Sequence, residues 1–540
     1  MEKRAFLAFV LSLVILTIWS YWFVPQHETP APPDEPSTAK EAPVASQPAA
    51  QLAKTVMPEL PRQEPDAPAQ VVKVVTPLYK AVLNGRGAVL ESWQLNHYRE
   101  SLSAESPPIE LVRADETARP LELLMEGPMA AGINAAVFRF DRQDVVIQDG
   151  SGQATLRAVL DLPQGGQVVK EFTFYGDRYA VDLVLRACDA QGGGLTERIG
   201  LLLVYPSSKV SSSSTSFAGP VVLTTHGLEE LGDVSKHSGK PMEARWGGFA
   251  LHYFVSAVVP RAPGRRDLVL EERDGTVRMA LWQGASAQGG CEYPFRLYLG
   301  PKSIDDLRVA GEDLDKALHL GFFDVIARPL LLAMKFINDY THNYGIAIIV
   351  LTIVIKLLFW PLTHKSYASM KEMQRIQPRI KQIRERFKND REQLNREMML
   401  LYKTHKVNPL GGCLPMLLQI PVFFALYKAL LDSIELRHAP FIFWVRDLSA
   451  PDYLLRFPSG LSFFGIEGIG PLPLLMGASM VIQQKMTPST GDPTQAKVMM
   501  LMPIFFTFLF ISFPSGLVLY WLINNVLSIV QQIYINAKVE

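Results

Sequence analysis

The run Gly345-Ile346-Ala347-Ile348-Ile349-Val350-Leu351-Thr352-Ile353-Val354-Ile355-Lys356-Leu357-Leu358-Phe359-Trp360-Pro361-Leu362 decides how the rest of the chain is read. About 20 residues at roughly 1.5 Å each cover a hydrocarbon core of about 30 Å, so this stretch is long and apolar enough to span a bilayer. It nevertheless carries one cation, Lys356. A charge deep in a span costs about 2.5–3.5 kcal/mol on insertion scales and calls for a reason. Lys356 stands only about 7.5 Å of helix from Pro361, a reach that a lysine can nearly bridge. A snorkelling Lys356 and one facing a polar groove therefore both fit. Trp360-Pro361 reads as an interfacial aromatic followed by a helix stop.

Outward from this run the texture is segregated. The chain has 540 residues, with 53 Lys and Arg balancing 53 Asp and Glu, which argues against a dedicated nucleic-acid binder. Its length suggests two or three units. Cys188, Cys291 and Cys413 have no paired-Cys spacing; Cys188 and Cys291 have the option of pairing in an oxidising compartment.

At the N-terminus, Lys3 and Arg4 precede an uncharged run that ends in Trp19, Tyr21 and Trp22. Residues 1–24 read as an uncleaved transmembrane anchor, because the run is longer than a signal h-region and no small-residue cleavage site follows it. Residues 25–70 are proline-rich and read as an extended tether. From 71 to 312 the pattern alternates, as in Tyr179, Val181, Leu183 and Leu185 around Asp182, or Phe172 and Phe174 before a Gly-Asp turn. That predicts a large antiparallel β-sandwich, with Ser211 to Ser214 as a surface loop and His97, His226 and His252 isolated.

Residues 313–342 turn helical, with Leu318, Phe322, Phe323, Ile326, Leu330 and Met334 as an interfacial apolar stripe. Residues 343–540 then hold five spans, near 343–362, 414–431, 468–485, 498–513 and 517–535. Lys428 is expected to snorkel at its span's outer end, and a basic helical hairpin with an apolar seam occupies 363–408. The hairpin is cytoplasmic by the positive-inside rule, and six spans in all put both termini in the cytoplasm and the β domain outside.

No metal-ligand, nucleophile or phosphate-loop motif appears, so no catalytic residue, metal or cofactor is expected and the chain does not read as an enzyme. The unusual residues lie in the apolar half: Thr352 and Lys356 one turn apart, with Gln419, Ser479, Gln483, Gln484, Asn524, Asn525, Gln531 and Gln532. Polar side chains in a membrane bundle face one another or a wet cavity. Two other classes compete with a polar groove for passing chains. A secondary transporter also places cations on its path, although no inverted repeat is visible. A membrane-anchored carbohydrate-active protein would use the β domain.

The runs Val407-Asn408-Pro409-Leu410-Gly411-Gly412-Cys413-Leu414-Pro415, Phe513-Pro514-Ser515-Gly516-Leu517-Val518-Leu519-Tyr520 and Trp360-Pro361-Leu362-Thr363 closely resemble the YidC membrane protein insertases, as do Gln377-Pro378-Arg379-Ile380 and Asp447-Leu448-Ser449. The likeness covers the whole chain in the Gram-negative arrangement. It implies an inner-membrane insertase and chaperone with a five-helix core and a mutarotase-like supersandwich outside. Its substrates would be nascent integral membrane proteins, handled alone or beside the Sec translocon and its accessory subunits. The groove cation is Lys356, where the family usually has Arg, and Thr352, Gln419, Gln483 and Asn525 line the groove with it. Phe423, Phe505, Phe506 and Trp521 fall where a substrate helix leaves. Arg375, Arg379, Lys381 and Arg384 fall in the loop that meets the ribosome and the signal-recognition pathway. Membrane lipids are the remaining implied partners.

Overall fold

The computed structural model describes residues 69–538, apart from 104, 114–118, 127–128, 164, 213–216, 287–289, 406–413, 459–465 and 487–492. The expected anchor and all but the end of the tether lie outside the described residues.

Alternation becomes sheet. Tyr179, Val181, Leu183 and Leu185 are all buried, while Asp182 on the opposite face receives Arg296 Nε at 2.7 Å from the neighbouring strand. The long sheet runs Ser211–Ser212, Phe217–Leu223, Trp246–Ala250, Phe254–Pro260, Glu292–Pro301, Ala180–Cys188, Gln167–Tyr175, Gln153–Asp161, Arg139–Phe140, with Leu228–Glu230 on the side of Phe217–Leu223. Against it lies a sheet ordered Met242–Glu243, Arg266–Arg273, Thr276–Gly284, Arg198–Pro206, Leu123–Met125. At Gly247 the two approach so closely that a Cβ would strike Leu268 and Met279, which only glycine permits. A third sheet, Pro108–Arg113, Val89–Arg99, Tyr79–Asn84, Val71–Val75, Asp144–Val146, carries a parallel pairing between its last two strands.

One detail departs from the expectation, and one pairing left open is made. Ser211 and Ser212 are not loop: they pair with Ala218 and Phe217 as a sheet edge. Cys188 and Cys291 form a disulfide, since pairing of Ala180–Cys188 with Glu292–Pro301 brings Arg186 opposite Glu292 and the two cysteines alongside.

Lys170 is wholly buried in this domain. Its Nζ donates to Gly87 O at 2.7 Å and Leu121 O at 2.8 Å, with Ala88 O at 3.3 Å. Burial pulls its ammonium down to about 7, opposed by the nearby Glu122 carboxylate.

Seven helices follow: α1 (Asp324–Thr341), α2 (Tyr344–Arg386), α3 (Arg391–Thr404), α4 (Leu414–Asp432), α5 (Pro471–Met486), α6 (Pro493–Phe510) and α7 (Ser515–Lys538). In α1 the buried positions are Ala327, Leu331 and Met334; of the expected stripe Leu318 and Met334 are buried, Phe323, Ile326 and Leu330 are half-buried, and Phe322 is exposed. Phe322, Val325, Phe336 and Tyr340 are exposed. The helix is apolar on two sides, so a single-face count picked rows lying between them. His342, in left-handed conformation, ends α1, and Asn343 Oδ1 then accepts from Ile346 N to cap α2.

Pro361 does not stop its helix. α2 runs unbroken for 43 residues through both Pro361 and Pro378, joining the expected span to the first arm of the hairpin. A proline forfeits one hydrogen bond and strains the preceding turn, but Thr363 Oγ1 donates to Phe359 O and Trp360 O and supports the turn around it. The hairpin turns before α3, whose N-terminus is capped by Asp390. Ile376 and Ile380 close the seam against Met373, Met398, Leu401 and Tyr402.

Among the described residues, Tyr344–Arg386 and Ser515–Ile535 are long and apolar enough to cross a membrane by length and composition. α4, α5 and α6 are apolar but have 19, 16 and 18 residues. α7 packs on α2 and α5, α6 on α5, and α1 on α2 and α4. Ile353, Val354, Leu357 and Leu358 of α2 point out of the bundle and are exposed, a large apolar face of the kind that meets a membrane.

Candidate functional site

Over residues 345–362 of α2 the outward face is wholly apolar, and the inward face holds Ala347, Ile348, Leu351, Thr352 and Ile355. Lys356 is half-buried and continues that inward side. Its Nζ donates to Ser528 Oγ of α7 at 2.8 Å, and Ser528 Oγ in turn donates to Asn524 O at 2.7 Å. Gln419 of α4 donates to Asn524 Oδ1 at 2.8 Å. Lys356 and Gln419 thus converge on one turn of α7 from two different helices. Polar atoms shielded from water need such partners.

The other expected lining residues are arranged differently. Asn525 turns to α5, where its Nδ2 donates to Ser479 Oγ at 3.1 Å. Gln531 donates to Thr363 Oγ1 at 2.6 Å and Gln532 to Met486 O at 2.7 Å. Thr352 is buried and donates within its own helix to Ile348 O at 2.6 Å, so it packs the wall instead of adding a free donor. Gln483 is half-buried on α5. Ser528 is the residue that reading the sequence overlooked. Its signal was present: it follows Asn524 by four residues and so shares a helix face with it.

Three of the four expected aromatics form one cluster. Phe423 meets Trp521 edge-on at 4.9 Å between centroids, and Phe506 lies at 6.2 Å from the same ring. Phe510 closes the cluster at 5.1 Å, while the buried Trp521 Nε1 has no hydrogen-bond partner among the described residues. Phe505 touches Phe506 but is 57% exposed at the rim.

In the hairpin, Arg375, Arg379 and Lys381 are exposed and Arg384 is half-buried. Arg375 pairs with Glu372 at 2.7 Å, and Arg379 Nη1 donates to His405 Nε2 at 2.9 Å, tying α2 to α3.

At the end of α4, Lys428 Nζ pairs with Asp432 at 2.9 Å. One further side chain differs from expectation. His252 is not isolated, since its Nε2 is 2.9 Å from Leu431 O and 3.5 Å from Asp432. Both belong to the contact between the β domain and α4. Arg437 adds to that contact by donating to Arg99 O at 2.6 Å beneath the Tyr253 and Phe254 rings. Among the described residues no group of three or more His, Cys, Asp or Glu side chains is placed to hold a metal ion.

Two family models match the chain: the YidC periplasmic domain over residues 71–333 and the 60Kd inner membrane protein over residues 336–540. The membrane protein insertase YidC of Pelobacter propionicus is 44% identical, with all of both chains covered. That of Syntrophus aciditrophicus is 41% identical over all of both chains. That of Geobacter metallireducens is 40% identical over all of this chain and 99% of its own. A solved active YidC insertase aligns over 86% of this chain and 93% of its own, at 16% identity and a TM-score of 0.36. The chain belongs to the YidC family, the inner-membrane proteins that carry a periplasmic domain and are named membrane protein insertases.

Proposed function

We propose that this chain inserts and folds integral membrane proteins by offering the polar flank of a substrate a hydrated, positively charged groove. The observation that carries the reading is the placement of Lys356, the one cation of its span, toward Ser528 and the Gln419–Asn524 pair instead of toward the exposed apolar face. An acidic or polar segment drawn to Lys356 loses less hydration than in bare lipid, and burial of the apolar substrate helix drives the transfer. Phe423, Phe506 and Trp521 then form the flank along which that helix leaves, with Phe505 at the rim. Thr352, Gln483 and Asn525 shape the wall.

The topology that goes with this has six spans: residues 1–24 as an anchor, residues 25–70 as a tether, and five core spans on α2, α4, α5, α6 and α7. Residues 71–312 form the periplasmic domain, 313–342 lie at the interface, and 363–408 stand in the cytoplasm. There Arg375, Arg379, Lys381 and Arg384 meet the ribosome and the signal-recognition pathway. The core works alone or beside the Sec translocon. One observation supports the sidedness: the Cys188–Cys291 disulfide suits an oxidising compartment.

Photo-crosslinking from probes at positions 356 and 521 to a ribosome-bound nascent membrane protein tests this. Crosslinks at both that vanish on substrate release support the groove. Capture at 521 with only lipid at 356 would remove Lys356 from the mechanism, and silence at both would sink the site.

A further inference from the structure

Between the β domain and the end of α4 lies a cavity of about 250 Å³ that the groove does not use. Its polar wall comes from five separate parts of the chain. Glu230 ends a short strand, His252 stands in the turn after Trp246–Ala250, and Lys302 follows Glu292–Pro301 directly. His319 precedes α1, and Lys428 and Asp432 close α4. Most of these charges answer one another. Asp432 takes Lys428 at 2.9 Å and lies 3.5 Å from His252, while Glu230 lies 3.6 Å from His319 Nδ1.

Lys302 is the exception. Among the described residues its ammonium has no ion-pair partner, and Asp432 and Glu230 act on it only at longer range. A cation held in a partly dehydrated cavity favours whatever anion can enter. Consistent with that, burial lowers Lys302 to about 8, a cost that a bound anion would remove. His319 is shifted the other way, raised by its bond to Glu230, so the cavity gains a second positive group as pH falls toward the ordinary histidine range.

We propose that this cavity binds a phosphate group against Lys302, with His319 as a further donor. Its volume of about 250 Å³ is many times what a single water needs, enough for a phosphate and the first atoms of a headgroup. The location favours a phospholipid as the source. The site touches the last turn of α4 and Gly321 just before α1, whose Val325 and Phe336 are exposed apolar residues. This location at the outer membrane surface rests on the topology proposed above. A lipid bound here ties the periplasmic domain to the core through the bilayer itself.

The test is native mass spectrometry of the full-length protein in detergent, titrated with phosphatidylglycerol, with diacylglycerol lacking a headgroup, and with inorganic phosphate. Wild type is expected to retain one phosphatidylglycerol more than Lys302→Gln and no extra diacylglycerol. Lys302→Arg should match wild type, as should Lys316→Gln, which removes a surface cation outside the cavity. Inorganic phosphate that binds in a Lys302-dependent way while phosphatidylglycerol does not would keep the site and assign it to the free anion. Equal retention by wild type and Lys302→Gln, with no phosphate binding, would overturn the proposal. If Lys302→Gln does not fold, the contrast between phosphatidylglycerol and diacylglycerol on wild type and Lys302→Arg still decides. Crosslinking at 356 is read in the same variants and is expected to be unchanged, so failure here and failure of the groove are distinguishable.

Discussion

Lys356 Nζ and Ser528 Oγ lie 2.8 Å apart although 172 residues separate them in the chain. The contact fixes α2 against α7 at the one charge of the run Gly345–Leu362. It also orients the ammonium toward the polar turn Asn524–Ser528 and away from the exposed face of Ile353, Val354, Leu357 and Leu358.

If this cation draws substrate, charge matters more than shape. Lys356→Arg should leave insertion of a substrate with an acidic flank within about twofold, whereas Lys356→Glu should lower it more than about tenfold, since like charges in a low-dielectric site repel by several kcal/mol. Ser528→Ala keeps the charge but frees the side chain and should fall between them. Insertion yield in cells depleted of their own insertase measures all three.

Lys170 predicts a pH-dependent β domain. Its ammonium is lowered to about 7 when folded, below its ordinary value of 10.5. Between those values the unfolded chain holds the proton and the folded chain has released it, so stability rises with pH across that window and is flat below it. Lys170→Met should abolish the slope. It should also cost a few kcal/mol (about 1–3 for each buried carbonyl left unpaired, not additive), because the Gly87, Ala88 and Leu121 carbonyls lose their donor. Urea midpoints at several pH values, followed through the β domain's near-ultraviolet circular dichroism, check both points.

The Cys188–Cys291 bridge spans 103 residues. A loop of that length constrains the unfolded chain by about 4 to 5 kcal/mol in the entropic account. Reduction, or Cys188→Ser with Cys291→Ser, should therefore lower the thermal midpoint of the β domain by roughly 10–20 °C, at about 2–4 °C per kcal/mol for a domain of this size. Crosslinking at position 356 should be unaffected.

Gly477 of α5 sits so close to Thr507 of α6 that a Cβ would meet the Thr507 side chain, and Gly345 likewise abuts the Phe441 ring. Gly477→Leu should separate α5 from α6 and cost about 1–3 kcal/mol of packing, more than Gly477→Ala. Protease sensitivity of the purified protein in detergent reads the difference.

Asp452 Oδ2 accepts from Leu472 N at 2.8 Å and from Trp444 Nε1 at 3.2 Å, so a buried carboxylate both starts α5 and ties down the loop before it. Asp452→Ala should cost about 1–2 kcal/mol through the lost cap. Asp452→Asn, which keeps one acceptor, should recover most of it. Thermal midpoints of the two variants make the comparison.

Period was enough to separate this chain into a β half and a helical membrane half. Each strand must place alternate residues inside, and each span must be apolar for its whole length, so both leave marks visible one residue at a time. Lys356 stood out for the same reason: a charge in such a run is conspicuous without any partner. The resemblance to YidC supplied the groove and the family. Local rules failed where a second element intervened. Pro361 read as a stop, but Thr363 supports its turn and α2 continues. The face of α1 that turns inward was set by α2 and α4 on one side, which periodicity on a doubly apolar helix does not reveal. Only the tertiary fold brought Ser528 to Lys356, joined Cys188 to Cys291, and gathered His252, Lys302 and Asp432 into one cavity. Such contacts join residues dozens to hundreds of positions apart, and their energies depend on distance and burial, which no local pattern encodes.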